Sequence, residues 1–363
     1  MNFRVSLVRV PLLSAFSNSK STMLARNALI LQLAHSGLEA FSECITDEVP
    51  SYSGEDNGSA LRAIKEIFGN ELRAGPPTPA KFLEGAGDLR GNAMAKAAVE
   101  MLLWDYRAKS TGRPLDVELG ESRGKADAGI ALGLGRDDEV SARIERAIEL
   151  GYKRIKVKIE REGAFETLEQ IRDRFPEIPL SADANGCFVL QRDLAELKRI
   201  DRFGLQYLEQ PLGLDDIADH SKLAKEVSTP ICLDESVTSL ERAEEALDLG
   251  AAKVINIKPG RVGGLTVAVE IARSARSRGA HVWVGGMLET GVGRAFNVAL
   301  AAQSLVDYPG DTSPNDRYFA KDLVKNPFKM EDGEISPNRG PGIGVELDRE
   351  FLSSVTMKTW DIF

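Results

Sequence analysis

Five ionisable residues recur at a near-constant interval: Lys158, Asp183, Glu209, Asp234 and Lys258. Subtracting neighbouring numbers gives gaps of 25, 26, 25 and 24 residues. Asp183, Glu209 and Asp234 are hard oxygen donors of the kind that hold Mg²⁺ or Mn²⁺ while leaving positions for water or substrate. A lysine whose ammonium is disfavoured by burial or by a second cation becomes a general base. Three carboxylates flanked by two lysines therefore form a metal-and-base constellation. It suits removal of a proton next to a carboxylate, with one lysine as base and the other as acid or fixed cation. His35, His220 and His281 are the only histidines. None follows a strand at the right phase, so neither a histidine base nor a histidine ligand is expected.

Each of the five positions sits at or beside the end of a short apolar run: IKVKI, LSADA, LQYLE, ICLDE and VINIK. About 25 residues accommodate one strand, one helix and two short loops. The pattern predicts strands at Ala128–Leu134, Arg154–Ile159, Pro179–Ala182, Leu205–Leu208, Pro230–Leu233, Lys253–Ile257, His281–Val284 and Leu305–Tyr308. Amphipathic helices such as Asp138–Leu150 and Leu240–Leu249 lie between them. Gly151, Gly204, Gly250 and Gly279 fall where a helix C-cap belongs. Eight strands alternating with helices point to an α/β fold with a parallel barrel, whose strand C-termini converge on one face. An open doubly wound sheet is the alternative. It fits less well, because ionisable residues end five consecutive strands instead of clustering at one switch point. Residues upstream read as a compact α+β segment. It has strands over Phe3–Val10 and Ala28–Ala34, a further apolar run towards Cys44, and helices over Ala60–Phe68 and Asn92–Lys109.

A length of 363 residues suffices for a barrel of about 250 residues and a smaller domain. A net charge of −9 argues against non-specific nucleic-acid binding. A small anionic substrate remains compatible, because a bound divalent cation dominates the local field. Cys44, Cys187 and Cys232 are odd in number, far apart and without CxxC, which favours free thiols in the cytoplasm. No apolar stretch reaches the ~20 residues of a membrane span. Arg9 and Pro11 interrupt the N-terminal apolar run, which reads as a strand and not as a signal peptide.

Lys156 and Lys158 alternate on one strand and share a face; if that face is the barrel interior, mutual repulsion and burial would each depress a lysine pKa, and an exposed edge with solvated lysines is the commoner alternative. Asn185 reads equally as a supporting residue of the metal site or as a turn residue. Glu235 reads as a hydrogen-bond partner to the site. The glycines of Gly285–Gly291 (GGMLETG) let backbone approach a ligand closely, and an ordinary loop is an equal alternative.

These residues resemble the enolase superfamily, in particular its muconate-lactonising subgroup. The match lies in K-x-K at Lys156–Lys158, D-A-N at Asp183–Asn185, E-Q-P at Glu209–Pro211, D-E-S at Asp234–Ser236, and Lys258. Enolase-type sites pair a lysine base with Mg²⁺. The segments SECI (42–45), PSYSGE (50–55), NIKPGRVGGL (256–265), GGMLETGVGRA (285–295), PGDTS (309–313) and GPGIGVE (340–346) resemble the o-succinylbenzoate synthase and N-acylamino acid racemase family. Ser42 departs from the glycine usual there. The resemblance implies a (β/α)7β barrel over 123–308, an α+β capping domain over 1–122, and a C-terminal segment over 309–363 that returns to the cap. It implies Mg²⁺ or Mn²⁺ on Asp183, Glu209 and Asp234, with Lys158 and Lys258 as the catalytic pair. It also implies support from Lys156, Asn185, Glu235 and Arg261, and substrate contacts from Ser19, Tyr52, Gly286, Met287 and Glu289. The activity implied is o-succinylbenzoate synthesis for menaquinone, by syn dehydration through an enediolate. The alternative is two-base N-acylamino acid or N-succinylamino acid racemisation, for which Arg261 is a feature. A dipeptide epimerase fits less well, because Asp311 is followed by Thr312 and Ser313 where an Asp-x-Asp is usual. A non-catalytic barrel has no need of two opposed lysines. A homo-oligomer is expected.

Overall fold

The computed structural model describes residues 1–17, 22–50, 52–86, 89–133, 135 and 137–363. The chain opens with three antiparallel strands, β1 (Asn2–Ser17), β2 (Thr22–His35) and β3 (Leu38–Cys44), in that spatial order. Alternation drives the sheet: Phe3, Val5, Leu29, Leu31, Leu33 and Ala40 are buried against the helices that follow. The longest of these helices is Ala93–Ser110. The β1–β2 hairpin extends well beyond the expected Phe3–Val10 and Ala28–Ala34. Its outer part carries exposed Leu13 and Leu24 and lacks the apolar alternation that marks the inner part.

A short strand β4 (Ala126–Asp127) precedes a curled parallel sheet. Its strands are β5 (Gly129–Leu132), β6 (Arg154–Lys158), β7 (Leu180–Asp183), β8 (Leu208–Glu209), β9 (Ile231–Leu233), β10 (Val254–Ile257) and β11 (His281–Val284). Neighbours in sequence are neighbours in the sheet, and a helix follows each strand. The barrel core is aliphatic, with Ile155, Val157, Leu180, Leu233, Ile255 and Val284 all buried. Each such side chain removed from water contributes about 1.5–3 kcal/mol.

Closure differs in detail from the sequence expectation. Leu305–Tyr308 was the expected eighth strand. The segment that bridges the two edges begins late in that run, at Asp307, whose N donates to Val282 O at 3.1 Å, and continues to Asp311. Tyr308 N and Asp311 N donate to Val282 O and Val284 O at 3.0 and 2.9 Å, and Gly129 N donates to Gly310 O at 2.7 Å. Pro309 and Gly310 carry no β-forming side chain, so the strand signal is absent from the sequence. The glycine is needed there, because a Cβ on Gly310 would lie 2.6 Å from Val284 O.

Strands β12 (Met330–Glu331) and β13 (Glu334–Ile335) pair with β4, and β14 (Thr356–Asp361) pairs antiparallel with β1. The C-terminus thus returns to the N-terminal sheet. Buried carboxylates join the two halves. Glu100, on helix Ala93–Ser110, accepts from Leu265 N and Thr266 N, each at 2.9 Å, at the start of barrel helix Leu265–Ser277. Among the described residues, no helix is long and apolar enough to cross a membrane.

Candidate active site

Parallel register places the constellation in one layer. Lys158 on β6 pairs with Asp183 on β7, and Asp183 pairs with Glu209 on β8. Asp234 and Lys258 follow the last residues of β9 and β10 directly. All five residues line one cleft of about 180 Å³ at the C-terminal ends of the strands. In an eight-membered closed barrel, β6 and β10 stand four strands apart, so the two lysines approach from opposite sides.

The side chains form a dense charge network. Lys158 Nζ lies 3.1 Å from Asp183 Oδ2 and also donates to Asn185 Oδ1. Asn185 in turn donates from Nδ2 to Glu235 Oε1 at 3.1 Å. Lys258 Nζ donates to Asp234 Oδ2 at 2.8 Å and to Tyr52 Oη at 3.1 Å. Arg261 reaches the same two groups, Tyr52 Oη at 2.8 Å and Asp234 Oδ1. Burial alone would push the Lys258 ammonium down. Asp234 and Tyr52 outweigh it and hold the group above its ordinary value.

Lys156 departs from the sequence expectation. Burial acts to depress it, but Asp311, Glu209 and Asp183 together raise it well above its ordinary value. Its Nζ lies 2.7 Å from Glu209 Oε2 and 3.2 Å from Asp311 Oδ2, under the Trp283 ring. The carboxylates around it outweigh repulsion by Lys158, so Lys156 is an embedded counter-charge and not a depressed base.

The three carboxylates do not converge as they stand. Among the described residues, no three His, Cys, Asp or Glu side chains form a preformed metal cage. Each carboxylate is drawn instead to an ammonium or guanidinium group. The donor set nevertheless fits a divalent cation. Among the described residues, Glu235 Oε2 and Asn256 Oδ1 are buried and accept no hydrogen bond, and buried Glu209 Oε2 meets the Lys156 ammonium at 2.7 Å. Glu209 is pushed up by burial, and Asp183, Asp234 and Asp311 add to the shift against the pull of Lys156. Buried hard oxygens crowded by like charge are the environment a small divalent cation relieves.

The family model described as Enolase C-terminal domain-like matches residues 139–351. The chain belongs to the enolase superfamily. Among its relatives, the N-succinylamino acid racemase of Thermus thermophilus is 41% identical over 357 residues, covering 97% of this chain and 95% of that one. The o-succinylbenzoate synthase of Bacillus subtilis is 40% identical over 354 residues, covering 96% and 94%. A solved enolase superfamily member from Listeria innocua superposes with a TM-score of 0.96 at 35% identity, covering 100% of this chain and 98% of that one.

In this superfamily member the remaining sequence-named residues distribute unevenly. Tyr52, Gly286 and Met287 line the cleft together with Lys156, Asn185 and Glu235. Glu289 does not. Its Oε1 accepts from Met287 N at 2.9 Å, and its Oε2 faces Arg294 at 3.4 Å. Arg261 stands behind Tyr52 and Asp234. Ser19 lies outside the described residues. Sequence reading missed Asn256, whose Nδ2 bridges Glu209 Oε1 at 3.0 Å and Asp234 Oδ1 at 2.9 Å. The signal was present: Asn256 stands two before Lys258, as Lys156 stands two before Lys158. It also missed Arg26, Arg154 and Asp311 as members of the site. Arg154 Nη2 bonds Asp311 Oδ1 at 2.7 Å beneath the cleft.

Proposed function

We propose that this chain is a divalent-cation-dependent o-succinylbenzoate synthase that removes the α-proton of a small anionic carboxylate. The observation that carries the reading is the pair Lys158 and Lys258 on opposed strands of one cleft, with Asp183, Glu209 and Asp234 on the three strands between them. Near-full-length relatives named for this activity, such as that of B. subtilis, support the assignment.

Asp183, Glu209 and Asp234 would hold Mg²⁺ or Mn²⁺. Held there, a divalent cation would supply the positive charge that acidifies the C–H next to a substrate carboxylate. Lys158 takes the α-proton. Its ammonium then gives that proton to the β-hydroxyl as the C–O bond breaks, so water leaves and the C–C double bond forms. Lys258, held by Asp234 and Tyr52, remains a cation facing the developing negative charge. Asn185 orients Lys158, and Lys156 balances the carboxylates below.

N-succinylamino acid racemisation is the second reading. Arg261 favours it, because it bonds both groups that hold Lys258. In that reaction the two lysines exchange roles as base and acid on opposite faces of the α-carbon. The T. thermophilus racemase is a relative of this chain. A cytoplasmic homo-oligomer accompanies either reading, and the three cysteines, all without disulfides, fit that compartment.

The test is kcat/KM of the purified chain with Mg²⁺ on the cyclohexadiene precursor of o-succinylbenzoate and on N-succinyl amino acids. Lys158→Ala is expected to remove both activities. Undiminished dehydration by Lys158→Ala would overturn the base assignment.

A further inference from the structure

Arg26 lies on β2 of the N-terminal sheet, far in sequence from the barrel constellation, yet it lines the same cleft. Its side chain is 2% exposed. Asp47 pairs with it, Oδ1 to Nη1 at 2.7 Å, and the Met23 sulfur approaches the same Nη1 at 3.9 Å. Both contacts use one corner of the guanidinium. Nε is buried and, among the described residues, has no hydrogen-bond partner. A buried guanidinium with an unsatisfied N–H is costly, and a carboxylate brought to the cleft side of the group would offset part of that cost.

The other cations of the cleft are each engaged by groups at the strand ends or, for Lys258, also by Tyr52 of the cap. Lys156 is taken by Glu209 and Asp311, Lys158 by Asp183 and Asn185, and Lys258 by Asp234 and Tyr52. Arg294 donates from Nη1 to Asp311 O at 2.7 Å and from Nε to Asn315 Oδ1 at 3.1 Å. Among the described residues lining the cleft, Arg26 is the one cation supplied by the N-terminal sheet and its loops. The cleft therefore has two ends at which an anionic group could be held: the strand ends, where a divalent cation would sit on the carboxylates, and the cap, where Arg26 stands beside Asp47. A ligand with a carboxylate at each end matches both.

We propose that Arg26 is a specificity-determining residue whose guanidinium receives the second, distal carboxylate of a dicarboxylate substrate. The inference rests on the reading of this chain as acting on succinyl-bearing carboxylates, and it assigns the succinyl carboxylate to the cap.

Calorimetric binding with Mg²⁺ present tests it without requiring turnover. The probes are o-succinylbenzoate and 2-butanoylbenzoate, which differ in the tail carboxylate. The wild-type chain is expected to bind the dianion about 30-fold more tightly, the worth of a charge-assisted pair of hydrogen bonds. Arg26→Met should reduce that ratio to about threefold or less, with the Kd of 2-butanoylbenzoate unchanged, which also reports an intact fold. Arg26→Lys, which keeps the charge and loses the fork, should fall between the two. Equal weakening of both ligands, or an unchanged ratio in Arg26→Met, would overturn the proposal, as would a wild-type chain that does not favour the dianion. If Arg26→Met does not fold, the same ratio read on Arg26→Lys decides. Turnover is scored separately. A wild-type chain that catalyses neither reaction but loses dianion preference in Arg26→Met keeps the proposal and refutes the activity. An active chain indifferent at Arg26 does the reverse.

Discussion

Glu43 accepts two hydrogen bonds from Thr290, from the backbone N at 3.0 Å and from Oγ1 at 2.8 Å, across the junction between β3 and the barrel. Its Oε2 also accepts from Gly293 N at 2.7 Å. The carboxylate thus caps barrel helix Gly291–Ala301, and it does so from the other domain. The same short segment carries Met287 into the cleft, so cap docking and cleft shape share one anchor.

That anchor gives a pH dependence. Burial pushes the Glu43 carboxyl up from an ordinary 4.5 to about 7, against the pull of the Thr290 and Gly293 donors. Between those two values the folded chain binds the proton that the unfolded chain has released. Stability from this group is therefore full below about pH 4.5 and falls as pH rises towards 7, by about 3 kcal/mol in all. Urea midpoints at pH 5 and pH 8 should diverge more in the wild type than in Glu43→Gln. Equal pH dependence of the two proteins would exclude Glu43 as its source.

A second prediction concerns the opposite anchor. Gly264 sits at φ +134, where its hydrogen faces Glu100, and a Cβ there would lie 2.5 Å from Glu100 Oε2. Gly264→Ala meets both a strained backbone and a clash with a carboxylate that four donors hold in place, Trp104 Nε1, Leu265 N, Thr266 N and Thr266 Oγ1. We expect a loss of about 3 kcal/mol or more in chemical denaturation. Glu100→Gln should lose less, because its amide oxygen can still accept one helix N–H. A neutral Gly264→Ala would mean that the helix start shifts freely.

The sequence disclosed the barrel where side chains face inward at fixed phase. Lys158, Asp183, Glu209, Asp234 and Lys258 all close β-forming runs, and register then brings them together without further information. What it hid depends on tertiary approach. Asp311 belongs to a closing segment built on Pro309 and Gly310, which carries no strand signal. Tyr52 meets Lys258 across 206 positions only because the cap docks on the barrel. Arg26 reads in sequence as one more charge on an alternating strand. The depressed pKa expected for Lys156 failed because same-strand spacing reveals a neighbouring lysine but not the carboxylates on other strands.

Metal dependence follows from the crowding at Glu209. Chelation by EDTA should abolish activity, and Mg²⁺ or Mn²⁺ should restore it. Glu209→Gln relieves the crowding by Asp183, Asp234 and Asp311 but takes from buried Lys156 the carboxylate 2.7 Å from its Nζ, so the metal response is read against the variant's own metal-free Tm. Its Mg²⁺-induced rise in Tm should shrink, with apparent Mg²⁺ affinity down by about 10–100-fold. A full Mg²⁺ response in Glu209→Gln would remove this residue from the ligand set.

Gln210 holds two of these carboxylates in relation to each other. It directly follows Glu209 and adopts φ +36, a left-handed conformation unusual for a side chain of its size. Its Oε1 accepts from Asp234 N at 3.1 Å and Ser236 N at 3.3 Å, and its Nε2 donates to Ser236 Oγ at 2.7 Å. One buried amide thereby ties the end of β8 to the end of β9, and its bonds keep the strained backbone in place. Gln210→Ala strips the buried donors of Asp234 and Ser236, at about 2–4 kcal/mol. If the tie also sets the spacing of Glu209 and Asp234, Mg²⁺ should bind about tenfold more weakly in calorimetry of the folded variant. A destabilised Gln210→Ala with wild-type Mg²⁺ affinity would show that Gln210 supports the fold alone and does not position the carboxylates.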